Sequence, residues 1–160
     1  MISIGGYYKG PELSNSSIKR LLQVAMKALE AARGPWVGSD DFGPCDDKPR
    51  SGPYFEKGSA PAVNVVFYVP GSLGKEGPDK VEAARFSRKQ KLLLVAVPVP
   101  PEMVESDAAA GFVIDALRQA NQIAAETFAK KGKDIEPFDL KQADAIVDKV
   151  ERSLADQGFS

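Results

Sequence analysis

The chain reads as an α+β fold, a mixed or antiparallel sheet of about four to five strands packed with three main helices (17–33, 107–131 and 140–155). Three observations predict it. Leu92–Val97 is an unbroken apolar run, β-branched towards its end and closed by Pro98, Pro100 and Pro101, which marks a strand buried on both faces. Amphipathic helical patterns cluster after the strand patterns rather than alternating with them, which favours α+β over a doubly wound sheet. The length, 160 residues at 43% hydrophobic and 27% charged, is that of one domain spanning 1–160, large enough to form a core without disulfide or metal staples.

Met1–Tyr8 is short and β-prone and ends before the turn signal Gly10-Pro11. Ser14, Asn15 and Ser16 offer helix caps. Ile18, Leu21, Leu22, Ala25, Leu29 and Ala32 follow at three-and-four spacing, so 17–33 is an amphipathic helix, stopped by Gly34-Pro35.

Residues 34–61 are rich in Gly and Pro. A structureless stretch of that length inside a domain is uncommon, so it either hides a short strand, for which Gly52–Glu56 is the candidate, or is functional. Ala62–Val69 is a second strong strand, with Val63, Val65, Phe67 and Val69 on one face and Ala62, Asn64, Val66 and Tyr68 on the other.

Residues 79–87 read as a strand that hairpins into Leu92–Val99, with Val81, Ala83 and Arg85 alternating against Glu82, Ala84 and Phe86; Pro78 leaves a turn of helix as the alternative. The Leu92–Val97 run is then the central strand. Beyond it, Ser106 or Asp107 caps a long helix to about Lys131. Its stripe is Ala109, Phe112, Ala116, Leu117, Ala120, Ile123, Ala124 and Phe128, and Gly132 ends it. Asp139, with Gln142 three residues on, caps a last helix carrying Leu140, Ala143, Val147, Val150 and Leu154.

The chemistry is constrained chiefly by what the composition lacks. There is no histidine, which removes Ser/His/Asp and Cys/His triads and histidine metal ligation. Cys45 is the one cysteine, so no intrachain disulfide forms, and Asp46 beside it disfavours a thiolate. The N-terminal MISIGGYYKG lacks the features of a secretory signal, and no run has the length of a membrane span, so a cytoplasmic protein with no membrane partner is expected.

Gly71-Ser72-Leu73-Gly74-Lys75 has too few residues between its glycines for a phosphate-binding loop, and Glu76 stands where Ser or Thr would bind magnesium. Asp40, Asp41, Asp46 and Asp47 lack the alternating ligand pattern of a calcium loop, so no metal or other cofactor is expected. Asp115 and Glu126 are single carboxylates on the polar side of the long helix.

Two surfaces remain. The first is acidic and aromatic: Trp36, Asp40, Asp41, Phe42, Asp46, Asp47, Tyr54, Phe55 and Glu56. Such a segment suits a basic protein partner, its aromatics as anchors and its acids steering approach; the structural alternative is that the rings cover a sheet edge. The second is basic: Arg85, Arg88, Lys89 and Lys91, with Phe86 as a base-stacking neighbour. It could hold nucleic acid, or it is a solvated hairpin tip. A net charge of −1 and the lack of a recognised module make nucleic acid the weaker partner.

The stretch ARFSRKQKLLLVAVPVPPEM (84–103), preceded by VVFYVPG (65–71) and followed by an alanine-rich helix, resembles bacterial immunity proteins of polymorphic toxin systems, including those of contact-dependent growth inhibition. The resemblance covers roughly residues 60–130 and carries over no functional residue by position. It implies a non-enzymatic cytoplasmic protein that binds a cognate toxin domain and neutralises it, the toxin being a nuclease (RNase or DNase) with a basic cleft. The acidic segment around 36–56 is then the expected toxin-binding surface.

Overall fold

The computed structural model describes residues 2–8, 24, 27–28, 42–44, 60–68, 80–100 and 108–159; for 2–8, 42–44 and 68 the description is of the backbone. Five strands form one sheet: β1 (Ile2–Tyr8), β2 (Phe42–Pro44), β3 (Ala62–Tyr68), β4 (Glu82–Ser87) and β5 (Leu92–Pro98). Their order is β2-β1-β3-β5-β4. β1 pairs in parallel with both β2 and β3, β3 pairs in parallel with β5, and β4 pairs antiparallel with β5. The sheet is therefore mixed.

The predicted strands at Met1–Tyr8 and Ala62–Val69 are present within a residue or two of their expected ends. The apolar run 92–97 is an interior strand, but the middle of the order belongs to β3, because β1 and β2 extend the sheet beyond it. The strand hidden in 34–61 is found at Phe42–Pro44, inside the stretch read as an acidic loop; Gly52–Glu56 lies outside the described residues. Of the predicted 17–33 helix, Val24, Lys27 and Ala28 are described and helical, and Val24 and Ala28 are fully buried.

Both faces of β3 and β5 are covered. Val63, Val65 and Phe67 on β3 stand beside Leu93, Val95 and Val97 on β5, and these six join one apolar cluster with the helices. Ala62, Asn64 and Val66, with Leu92 and Ala96, face the other way and are buried as well. Each fully buried Val or Leu contributes about 1.5–3 kcal/mol, which explains why β5 reads as a continuous apolar run, and β3 as one interrupted by Asn64, rather than as strands alternating apolar with polar.

β4 is a strand, which decides against the helical alternative for 79–87. Its alternation is broken, however. Ala83 stands opposite Val95 and Arg85 opposite Leu94, so Ala84 is an extra residue, a β-bulge. Directly opposed residues share a face. Phe86, opposite Leu93, therefore shares the helix-side face with Ala83 and not with Glu82 and Ala84 as simple alternation predicts.

Two helices follow: α1 (Ala109–Lys131) and α2 (Leu140–Asp156). α1 lies against β3, β4, β5 and α2. Its N-cap is Ala108, with no side-chain cap bond; the predicted caps Ser106 and Asp107 lie outside the described residues. The buried stripe is wider than predicted. Ala110, Val113, Ile114 and Asn121 are buried, while Phe112 and Ile123 are half-buried against the cluster. α2 is capped as expected: the Asp139 carboxylate accepts from the Gln142 amide at 3.0 Å. Its face adds Ile146 to the predicted Ala143, Val147, Val150 and Leu154.

The end of α2 carries a signal overlooked in the sequence, Gln157-Gly158-Phe159. Gly158 has φ +86°, its amide donates to Ala155 O (3.0 Å), and the Phe159 amide donates to Leu154 O (2.9 Å). That pair of bonds satisfies the last carbonyls and folds Phe159 back on the core.

Candidate functional site

Phe42, the one described residue of the acidic surface, lies on β2 at one edge of the sheet, and the basic surface lies at the other edge, on β4 and the turn into β5. Of the acidic set, Phe42 is described, as backbone, in edge strand β2, opposite Gly6 of β1. Trp36, Asp40, Asp41, Asp46, Asp47, Tyr54 and Glu56 lie outside the described residues, as do Phe55, Cys45 and the 71–75 glycine segment.

The basic set is described in full. β4 and β5 are joined by Arg88-Lys89-Gln90-Lys91, a tight turn closed by the Lys91 amide on Arg88 O at 3.3 Å and the Gln90 amide on Ser87 Oγ at 3.2 Å. Lys91 sits at φ 51°, a left-handed conformation that costs a non-glycine residue about 1–2 kcal/mol. That geometry turns the tip towards the segment after α1.

There the guanidinium of Arg88 donates from both terminal nitrogens, to Lys131 O and to Lys133 O, each at 2.6 Å. Lys131 is the last residue of α1, so its carbonyl is one of those a helix leaves without an internal partner. Arg88 thus caps the negative end of the helix with a fixed cation. Beside it, Lys91 Nζ pairs with Glu136 Oε1 at 2.9 Å.

Phe86 is also committed to structure. Its ring meets Phe128 of α1 edge-on, with centroids 5.1 Å apart, and Phe128 in turn stacks on Phe138 at 5.9 Å. The aromatic expected to stack on a base is instead the end of a three-ring column joining β4, α1 and the α1–α2 connection. Arg85 and Lys89 remain exposed, Arg85 on the face away from the helices and Lys89 at the turn.

On the helical side, Arg118 of α1 bridges to Asp148 (2.8 Å) and Glu151 (3.6 Å) of α2. The hydrogen bond it donates to the Asp148 carboxylate raises the guanidinium above its usual pKa, against a smaller opposing effect of burial. Asn121 is fully buried one helical turn away. Its Nδ2 donates to Asp144 at 3.1 Å, and its Oδ1 has no partner. Asp115 and Glu126 are exposed, as their reading as solvated carboxylates requires. Among the described residues no group of three or more acids or cysteines is placed to hold a metal ion, and no helix is long and apolar enough to cross a membrane.

Comparison with protein families, with curated proteins and with solved structures finds no match for the chain.

Proposed function

We propose that the chain is a non-enzymatic immunity protein that binds a cognate bacterial toxin domain, a nuclease, and neutralises it. Its toxin-binding surface is the segment containing Trp36, Asp40, Asp41, Phe42, Asp46, Asp47, Tyr54 and Glu56. The observation that carries the reading is β2. Phe42–Pro44 is an edge strand. Asp40 and Asp41 immediately precede it in the chain, and Asp46 and Asp47 follow within three residues. Acids flanking an edge strand suit a basic nuclease cleft, where opposite potentials raise the rate of encounter and apolar rings supply the anchoring contacts. The resemblance of residues 65–71 and 84–103 to immunity proteins points the same way. Those residues include much of β3 and β4 and all of β5, the body of the sheet rather than a chemical site.

The test is the variant with Asp40, Asp41, Asp46 and Asp47 all changed to Lys, measured by stopped-flow and calorimetry against a nuclease toxin domain from which co-expression of this chain protects the host. Association should slow by roughly tenfold to a thousandfold at low salt, with a reduced loss at high salt and protection diminished. Unchanged kinetics would move the surface elsewhere. The competing reading, nucleic-acid binding through Arg85, Arg88, Lys89 and Lys91, rests on the exposure of Arg85 and Lys89. Retention of RNA or DNA on filters at low salt, falling steeply as salt rises, would favour it.

A further inference from the structure

β4 ends the sheet on the side opposite β2. Residues Glu82 to Arg85 are exposed, and among the described residues no strand covers the outer edge of β4. The bulge gives this edge an unusual symmetry. Glu82 stands opposite Ala96 and Arg85 opposite Leu94. Ala96 and Leu94 are two apart on one strand, so they share a face, and Glu82 and Arg85 share it with them. In an unbroken strand, residues three apart would point to opposite faces. Phe86 and Val81 are likewise brought to one face, the helix side, where both are half-buried against the core.

We infer that β4 is a self-pairing edge, and that a second copy of this chain docks on it strand to strand. Consider two β4 strands placed antiparallel about a two-fold axis perpendicular to the sheet, with Glu82 of each opposite Arg85 of the other. Residues opposed across such an axis must lie on the same face, and the bulge is what satisfies this for positions of odd spacing. The register makes two Glu–Arg cross-strand pairs on the outer face and two Val81–Phe86 pairs on the helix face. The small Ala83 and Ala84 meet at the centre. Opposite charges and apolar pairs directly across a ladder are the contacts that stabilise antiparallel pairing. No other acidic side chain lies on β4 to oppose them. The product is a continuous sheet through two copies, held by a short ladder, hence a weak and concentration-dependent dimer.

Sedimentation velocity over a wide concentration range tests this. The native chain should show a reversible monomer–dimer equilibrium. Glu82→Arg and Arg85→Glu should each weaken it at least tenfold, because each places like charges opposite one another twice. The double variant Glu82→Arg/Arg85→Glu exchanges the partners and should restore it to near the native value. Both altered positions, Glu82 and Arg85, are exposed in the monomer, so circular dichroism should be unchanged throughout. A chain that stays monomeric at every concentration overturns the inference, and the bulge and charges then guard the edge against pairing. A dimer indifferent to the single variants, or a double variant that does not recover, overturns it equally. None of these outcomes bears on toxin binding through the opposite edge.

Discussion

Arg88 shows how one side chain can change meaning between sequence and structure. In the sequence it is a cation in a basic run, a candidate for phosphate. In the fold its planar fork spans two backbone carbonyls, Lys131 O and Lys133 O, that water or another donor would otherwise have to satisfy. Replacing it with Ala should destabilise the protein by about 1.5–3 kcal/mol, the range for hydrogen bonds to a charged group. Arg88→Lys should recover only part of this, since an ammonium keeps the charge at the helix end but cannot bridge both carbonyls. Urea denaturation of the three proteins would check the order, and equal stability of all three would mean that solvent replaces the clamp at no cost. Asn121 is the opposite kind of residue. It is wholly buried, and only its amide nitrogen is used. An unpaired buried acceptor is costly, so the bond that Nδ2 donates to Asp144 offsets only part of what burying this amide costs.

At the level of elements, the end of α1 turns on Gly132. Its φ of −97° is open to any residue, so the requirement is for space and not for conformation. A Cβ there would stand 2.5 Å from the Phe128 carbonyl oxygen, the same atom that accepts the Gly132 amide. Gly132→Ala should therefore cost about 1–3 kcal/mol, as overpacking does, measurable as a lowered Tm; a Tm equal to that of the native protein would show that the last turn can shift freely. What was legible in the sequence follows the range of the physics. The strands β1, β3 and β5, the cap at Asp139 and the stop at Gly132 are set by neighbours within a few residues, and the pattern records them. The bulge at Ala84 is set by how β4 pairs with β5, the clamp by a turn meeting a helix 43 residues away, and the burial of Asn121 by α2; no local pattern encodes these. The candidate sites divide likewise. Hairpin formation could be read from 85–91, but the use of Phe86, Arg88 and Lys91 as braces could not.

For the molecule as a whole, stability should be graded across the sheet. β3 and β5 are buried on both faces and interior to the order, whereas β4 is exposed along its first four residues. Native-state amide exchange should find its slowest protons within Val63–Phe67 and Leu93–Val97, opening only with global unfolding. At concentrations where the chain is monomeric, the amides of Glu82–Arg85 that do not bond to β5 should exchange orders of magnitude faster. Uniform protection across β4 and β5 would contradict that gradient. The Arg118 bridge belongs to the same balance. Its raised pKa gives stability that is complete below the value for an unfolded arginine and is lost only as pH climbs through the raised one, so the α1–α2 contact should weaken with salt but not through the neutral and mildly alkaline range.

The path of the chain from β3 to β5 has a consequence for synthesis. After β3 the backbone leaves a vacant place, lays down β4 one strand further out, and returns through the turn to fill the gap with β5. A nascent chain that has emerged only as far as Lys91 holds β3 with one side paired to β1 and the other bare. The bare edge, Ala62-Val63-Asn64-Val65-Val66-Phe67-Tyr68, is uncharged, β-branched and free of proline, the composition most prone to pairing with the wrong neighbour. The interval between translation of β3 and the arrival of Leu92–Val97 is thus the period in which this protein is most exposed to aggregation on the ribosome.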